Sequence, residues 1–462
     1  MRSSYYSNLF LAKTVLVATL GGLLFGYDTA VISGTIEYLE EYFALSKMQL
    51  GWVVSSALLG CMIGAGIAGV VSDSIGRKRA LMISSLLFLI SAIGTALPDS
   101  ASTLIAFRLI GGIGVGVASV VSPMYISEMA PENIRGRLVS MNQMAILTGM
   151  LIVYMVNSRI VYSGDHAWRV SQAWRWMFGS ELLPALIFFV LIFTISESPR
   201  WLVKSDQPDR ALAVLRKIHV TVVAERIVTE IETVTQSEEG GWREVFGRTY
   251  RPALVIGACL AVIQHGTGIN AVMYYAPHIF VHAGFETTSA IGHMVIISLS
   301  MIVFTVIGLL LVDTVGRKPL LLISSAGMAT SLCILYFTYA EGTTVEGPQF
   351  WVLGGVICYV ASFSIAMGPI VWVMISEIFP NRVRGRAASV AVVLMWSASL
   401  VISQFFPLVL NWIEEGVFLL CGIVCMISFA FIYVCVPETK GKTLEEIEAT
   451  WQHRNDASPD YT

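Results

Sequence analysis

Charge is sparse in this chain. Only 13% of its 462 residues are charged, where soluble domains carry about 25%. The 29 Lys and Arg and 32 Asp and Glu nearly cancel, leaving a net charge of −3. The basic residues are spread over many short loops, which excludes a nucleic-acid-binding face. Cysteine is also scarce. All seven (Cys61, Cys259, Cys333, Cys358, Cys421, Cys425 and Cys435) sit in apolar runs without metal-ligand spacing, so they read as small packing residues. No Asn-x-Ser/Thr sequon occurs. No metal cluster, phosphate-cradling loop or Ser-His-Asp order can be placed. The glycines of Gly111-Gly112-Ile113-Gly114 lie inside an apolar run, not after a soluble strand. An enzyme is therefore disfavoured, and no cofactor or metal is expected.

Hydrophobic residues are abundant, at 55%. Twelve apolar runs, the first near 10–34 and the last near 416–436, approach the roughly 20 residues that a membrane-crossing helix needs. The expected fold is an all-α membrane protein of twelve transmembrane helices in two pseudo-symmetric six-helix bundles. The first run lacks a small-residue cleavage site and reads as a retained helix, not a signal peptide. With both termini on one side, nearly all Lys and Arg fall on that side. The exceptions are Arg108 inside a helix and Lys47, Arg159, Arg169 and Arg175 in opposite loops. This bias places both termini in the cytoplasm. Short loops and missing sequons point to a bacterial inner membrane.

Two motifs repeat in the same order. Asp-x-x-Gly-Arg-Lys occurs at Asp73–Lys78 and Asp313–Lys318, and Ser-Glu-x-x-Pro-x-x-x-Arg-Gly-Arg at Ser127–Arg137 and Ser376–Arg386. The duplication divides the chain into an N-terminal bundle (1–196), a cytoplasmic helical linker (197–251), a C-terminal bundle (252–437) and a tail (438–462). In the linker, Leu212, Leu215 and Ile218, then Ile227 and Ile231, have the spacing of short amphipathic helices. Gly60, Gly64 and Ala68, and Gly112 and Gly116, form small-residue faces that allow close helix approach.

Some residues are costly in a bilayer. Asp28 and Arg108 lie inside predicted helices, where a charge costs roughly 2.5–3.5 kcal/mol, so they should pair or line a wet cavity. Glu181, near the outer end of the sixth run, is a third such residue. A seventh run interrupted by Gly266 and Gly268 and carrying Gln264, His265, Asn270, Tyr274 and Tyr275 predicts a broken helix around a midplane polar site.

These motifs, with Glu197-Ser198-Pro199-Arg200, Pro437-Glu438-Thr439-Lys440-Gly441, Gly26-Tyr27-Asp28 and Gln264…Gly268-Ile269-Asn270, resemble the sugar porters of the major facilitator superfamily, notably the bacterial proton-coupled xylose type. The resemblance covers nearly the whole chain. It implies proton-coupled symport of a monosaccharide or related polyol by alternating access, with sugar, proton and lipid bilayer as partners and a monomer as the working unit. It assigns Asp28 and Arg108 to proton coupling. It assigns Gln143, Gln264, His265, Asn270, Tyr274, Trp372, Phe25, Gly368 and Trp396 to the sugar site and its wall. Gate ion pairs between the halves would involve Asp73, Arg77, Glu128, Arg135, Arg137, Glu197, Asp313, Arg317, Glu377, Arg384, Arg386 and Glu438. Three positions depart from the pattern. His265 replaces a second Gln, Met395 an amide and Ser399 an Asn, which predicts altered selectivity. The alternatives are a uniporter with a purely structural Asp28–Arg108 pair and a sugar sensor, which the short tail disfavours.

Overall fold

The computed structural model describes residues 8–235, 242–247, 250–340, 348–379 and 383–440. Among them every regular element is helical, and twelve helical spans are long and apolar enough to cross a membrane. They are α1 (Leu9–Gly34), α2 (Lys47–Ile75), α3 (Arg77–Ala96), α4 (Ala101–Met129), α5 (Glu132–Val161), α6 (His166–Thr194), α7 (Arg251–His282), α8 (Thr287–Val315), α9 (Arg317–Thr338), α10 (Gln349–Ile375), α11 (Arg386–Ile413) and α12 (Gly416–Cys435). A helix satisfies its own backbone groups, which is why apolar runs of this length adopt it in lipid.

The linker is helical at Pro199–Lys204, Pro208–Leu215 and Thr221–Thr235. Its buried face is Ala211, Val214, Leu215, Ile218, Ala224 and Val228. The expected Leu215 and Ile218 are on that face, whereas Leu212, Ile227 and Ile231 are only half-buried beside it.

Two departures from α geometry fall at proline and glycine. The helix expected to break does so. Its first segment ends at Gly266, Gly268 takes φ +87°, and a second segment runs Ile269–His282. In α10 a π-turn at Phe363–Met367 precedes Gly368-Pro369. Proline there cannot donate to a carbonyl one turn back, and the wider turn accommodates the mismatch.

Close packing divides the chain into two units. One comprises Met1–Thr29, Gly60–Ile152 and Phe178–Glu239, and the other Ala30–Leu59, Val153–Met177 and Gly240–Thr462. In the first unit α2 and α4 cross on the small residues singled out in the sequence. A Cβ on Gly60 would lie 2.3 Å from the Leu109 carbonyl, and one on Gly116 2.3 Å from that of Cys61. Likewise α1 meets α5 where a Cβ on Gly26 would lie 1.9 Å from the Ile146 carbonyl. The second unit includes the ends of α1, α2, α5 and α6 distal to the Gly-Arg-Lys loops. It is sewn there by Ser55 Oγ donating to Gln404 Oε1 at 2.6 Å, Gln404 Nε2 to the Met48 carbonyl at 3.2 Å, and Thr287 Oγ1 to Glu37 at 3.1 Å.

Candidate functional site

The two Gly-Arg-Lys loops build matching clusters. In the first unit Arg77 donates to Glu128 through Nε at 3.1 Å and Nη2 at 3.2 Å, and to the Ser72 carbonyl at 3.1 Å. It also faces Asp73 at 2.9 Å. Ser198 adds its hydroxyl to Glu128. Glu197 accepts from the backbone N–H groups of Arg77 (2.9 Å) and Lys78 (3.1 Å), which open α3. In the second unit Arg317 donates to Glu377 and Asp313, both at 3.1 Å, and Thr439 donates to Glu377 at 2.6 Å. Glu438 accepts from the N–H groups of Arg317 (3.1 Å) and Lys318 (3.0 Å) at the start of α9.

Among the described residues Glu197 and Glu438 make no side-chain ion pair with Arg77 or Arg317. They cap helix N-termini, where unpaired N–H groups and the helix dipole favour a carboxylate. The motif glycine makes room. Gly76 and Gly316 have φ of +100° and +110°, and a Cβ there would meet the capping oxygen at 2.3 Å and 2.8 Å. The ion-pair partners named for each cluster lie within one unit. Arg135 and Arg137 are exposed and make no ion pair among the described residues. Arg386 is half-buried; the Arg384 side chain, residues 380–382 and Gly441 lie outside the description.

The intramembrane charges form a second group in the first unit. Asp28 and Arg108 are each 1% exposed and Glu181 is fully buried. Arg108 Nη1 stands 3.8 Å from Asp28 Oδ1, beyond hydrogen-bond length, and its guanidinium lies 5.6 Å from the Phe178 ring centroid. Glu181 is within electrostatic reach of both. Arg108 Nε and Nη1, Asp28 Oδ2 and both Glu181 oxygens have no hydrogen-bond partner among the described residues. Buried charges left this under-bonded are costly as static structure. Two carboxylates and one guanidinium balance only when one carboxylate carries a proton. Gly111 admits Ser91 beside this group, since a Cβ on it would lie 2.3 Å from Ser91 Oγ and 3.5 Å from Asp28 Oδ1. Tyr27 bonds Ser180 at 2.7 Å, beside Glu181. Also in this unit, Phe25 and Gln143 are half-buried.

The broken α7 builds a third group, in the second unit. Gln264, 2% exposed, donates through Nε2 to the Met367 and Gly368 carbonyls, both at 2.9 Å, beside the π-turn of α10. Its Oε1 has no partner among the described residues and is free to accept from a hydroxyl. Asn270 Nδ2 donates to Ser399 Oγ at 2.8 Å and meets His265 Nδ1 at 2.9 Å. An amide N–H can only donate, so Nδ1 accepts and the other ring nitrogen, Nε2, carries the proton. The His265 ring lies 5.8 Å from that of Trp396. Tyr359 closes the break by donating to the Thr267 carbonyl at 3.0 Å. Tyr274, Gly368, Trp396 and Met395 are buried and Trp372 is half-buried. Of the three departures, His265 and Ser399 bond one amide, Asn270, from two sides, which the sequence did not foretell. Tyr359 was missed as well, because a lone Tyr in an apolar run carries no signal.

A group of hydrogen-bonding amides beside aromatic rings at a helix break, with an under-bonded buried charge group elsewhere, is the equipment of a membrane transporter for small polar solutes. The sequence model of the family described as "Sugar (and other) transporter" matches residues 14–451, and the chain belongs to that family. It is 40% identical to the D-xylose-proton symporter of Escherichia coli (strain K12), over 97% of each chain. It is 41% identical to the arabinose-proton symporter of Bacillus subtilis (strain 168), over 94% of this chain and 93% of that one. Among solved structures, the inward open conformation of the xylose transporter XylE from E. coli superposes with a TM-score of 0.84 at 40% identity, covering 96% of this chain and 100% of that one. The fold is thus that of the major facilitator superfamily, and the chain is an integral membrane protein.

Proposed function

We infer that the chain is a secondary active transporter that moves a monosaccharide or closely related polyol together with a proton by alternating access. The observation that carries this reading is the Asp28–Arg108–Glu181 group, buried and short of partners. Relatives named as xylose- and arabinose-proton symporters support it.

In this reading a proton on Asp28 neutralises the carboxylate facing Arg108, and its loss restores an attraction across 3.8 Å. Either event shifts α1 against α4, so proton occupancy is linked to conformation. Glu181 holds the second negative charge of the group and relays the proton. A membrane potential of 100 mV supplies about 2.3 kcal/mol per charge, enough for roughly 40-fold accumulation. Sugar hydroxyls donate to Gln264 Oε1 and accept from His265 Nε2–H, with Asn270 holding the imidazole. Gln143, Phe25, Tyr274, Gly368, Trp372 and Trp396 complete the binding surface and its wall. The chain works as two six-helix halves, a monomer with both termini in the cytoplasm of a bacterial inner membrane. The Arg77 and Arg317 clusters, with Arg135, Arg137, Arg384 and Arg386 nearby, form the cytoplasmic gate.

The test is sugar-driven proton uptake into liposomes containing the purified protein, across pentoses, hexoses, deoxysugars and polyols. Asp28→Asn is expected to abolish proton movement and accumulation while sugar counterflow survives. Sugar flux without proton movement in the wild type would make the protein a uniporter and refute the coupling role.

A further inference from the structure

At the helix ends distal to the Gly-Arg-Lys loops, the second unit carries a partly open cavity of about 240 Å³. It lies apart from the Gln264–Asn270 group. Its walls are the start of α2, the end of α7 and the end of α11. From Asn270 to His278 along α7 is about 12 Å at 1.5 Å per residue. The polar lining is Lys47, Tyr275, His278, His282, Asn411 and Glu414. Tyr275 is 2% exposed, yet its hydroxyl has no hydrogen-bond partner among the described residues, and neither has Nδ1 of His278. Tyr275 cannot readily turn away, because its ring stacks on Phe406 with centroids 5.3 Å apart. The His278 and His282 rings are held one turn apart, 4.7 Å between centroids.

We propose that this cavity is a second binding site for a small, neutral, polyhydroxylated ligand, a monosaccharide of the transported class. Four features select that chemistry. The partnerless phenol can donate or accept, and the imidazole Nδ1 does one or the other by tautomer, so a hydroxyl, which does both, suits each of them. Leu50, Pro407 and Leu410 supply an apolar surface for a sugar C–H face. Lys47 is already paired with Glu40, and the one remaining charge, on Glu414, is exposed to water, so an anion is not favoured and a neutral ligand fits. The volume lies just below the roughly 300–1,000 Å³ of drug-sized pockets, which suits one small molecule.

The site belongs to one state of the protein. Its α2 and α11 walls are the helices that Ser55 and Gln404 tie together. A ligand here therefore binds the closed distal end in preference to an open one and slows reopening. On the proposed orientation this end faces outward, so external sugar in excess restrains its own entry. This step rests on the transport reading above.

The experiment is equilibrium binding of radiolabelled D-xylose, L-arabinose and D-glucose to the purified full-length protein. Wild type is expected to bind two equivalents of at least one sugar with distinct affinities. Tyr275→Phe, which removes only the hydroxyl, should weaken the second equivalent about fivefold to tenfold and leave the first. His278→Ala should do the same, and Gln264→Ala should remove the first and leave the second. A single equivalent lost in Gln264→Ala would overturn the second site and leave the transport reading standing. A second equivalent unchanged in both Tyr275→Phe and His278→Ala would also overturn it. No binding of any of the three sugars would overturn the second site and leave the transport reading to the liposome panel.

Discussion

Removing Arg77 should damage the protein far more than removing its counterpart Arg317. The two arginines occupy equivalent positions in the repeat, but their surroundings differ. The side chains of Arg77 and Glu128 are 8% and 6% exposed, while those of Arg317 and Glu377 are 14% and 24% exposed. Arg77 engages Glu128 through two nitrogens, and a single contact below 3.5 Å joins Arg317 to Glu377. Arg77→Ala leaves a buried carboxylate whose remaining partner among the described residues is the Ser198 hydroxyl. Breaking a buried pair from one side costs about 3–5 kcal/mol, two to nearly four powers of ten in a folding equilibrium. At the second cluster water reaches Glu377, and a loss of about 1.5–3 kcal/mol is expected, the range of a charged hydrogen bond. Thermal unfolding of the detergent-purified variants, followed by tryptophan fluorescence, measures the difference. The companion double variant Arg77→Ala with Glu128→Gln should recover part of the loss, because it removes the stranded charge. Equal losses at the two sites, or no recovery in the double variant, would refute the burial argument.

Three further outcomes follow from the geometry. Gly26→Ala, whose Cβ would sit 1.9 Å from the Ile146 carbonyl, should cost about 1–3 kcal/mol in the same assay; Gly69→Ala, with nothing within 4 Å, should cost nothing. Burial, opposed by the Thr287 hydroxyl, holds the Glu37 carboxyl above its usual range, so the folded protein binds this proton more readily than the unfolded chain. That contribution is fully present below the ordinary value of about 4.3 and is lost as pH rises through the raised one, so Glu37→Gln should flatten the pH dependence of unfolding over that window. His265→Gln restores an amide that both donates and accepts, and should shift the ratio of D-xylose to other sugars in competitive uptake by about tenfold.

Much of this was legible because bilayers impose strong rules. Apolar run length gave the twelve spans, and Gly266 and Gly268 gave the break in α7. The Gly-Arg-Lys motif was legible as charge but not as geometry. Nothing in a list of residues says that Glu197 turns toward backbone N–H groups 120 positions earlier, since backbone donors leave no mark on side-chain chemistry. Glu181 was legible as an expensive residue, while its neighbourhood to Asp28 and Arg108 depends on how α1, α4 and α6 pack. His265 stood out as a departure; that Asn270 fixes its tautomer depends on the turn created by the break.

The capping carboxylates also bear on assembly. The first turn of α3 emerges from the ribosome long before Glu197, and the first turn of α9 long before Glu438. Each helix therefore enters the membrane with its leading amides bare and is completed only when the sixth or twelfth helix of the chain arrives. Each repeat thereby carries a checkpoint for its own completion, so a chain truncated before Ser196 or before Pro437 is expected to be recognised by quality-control proteases at that uncapped end.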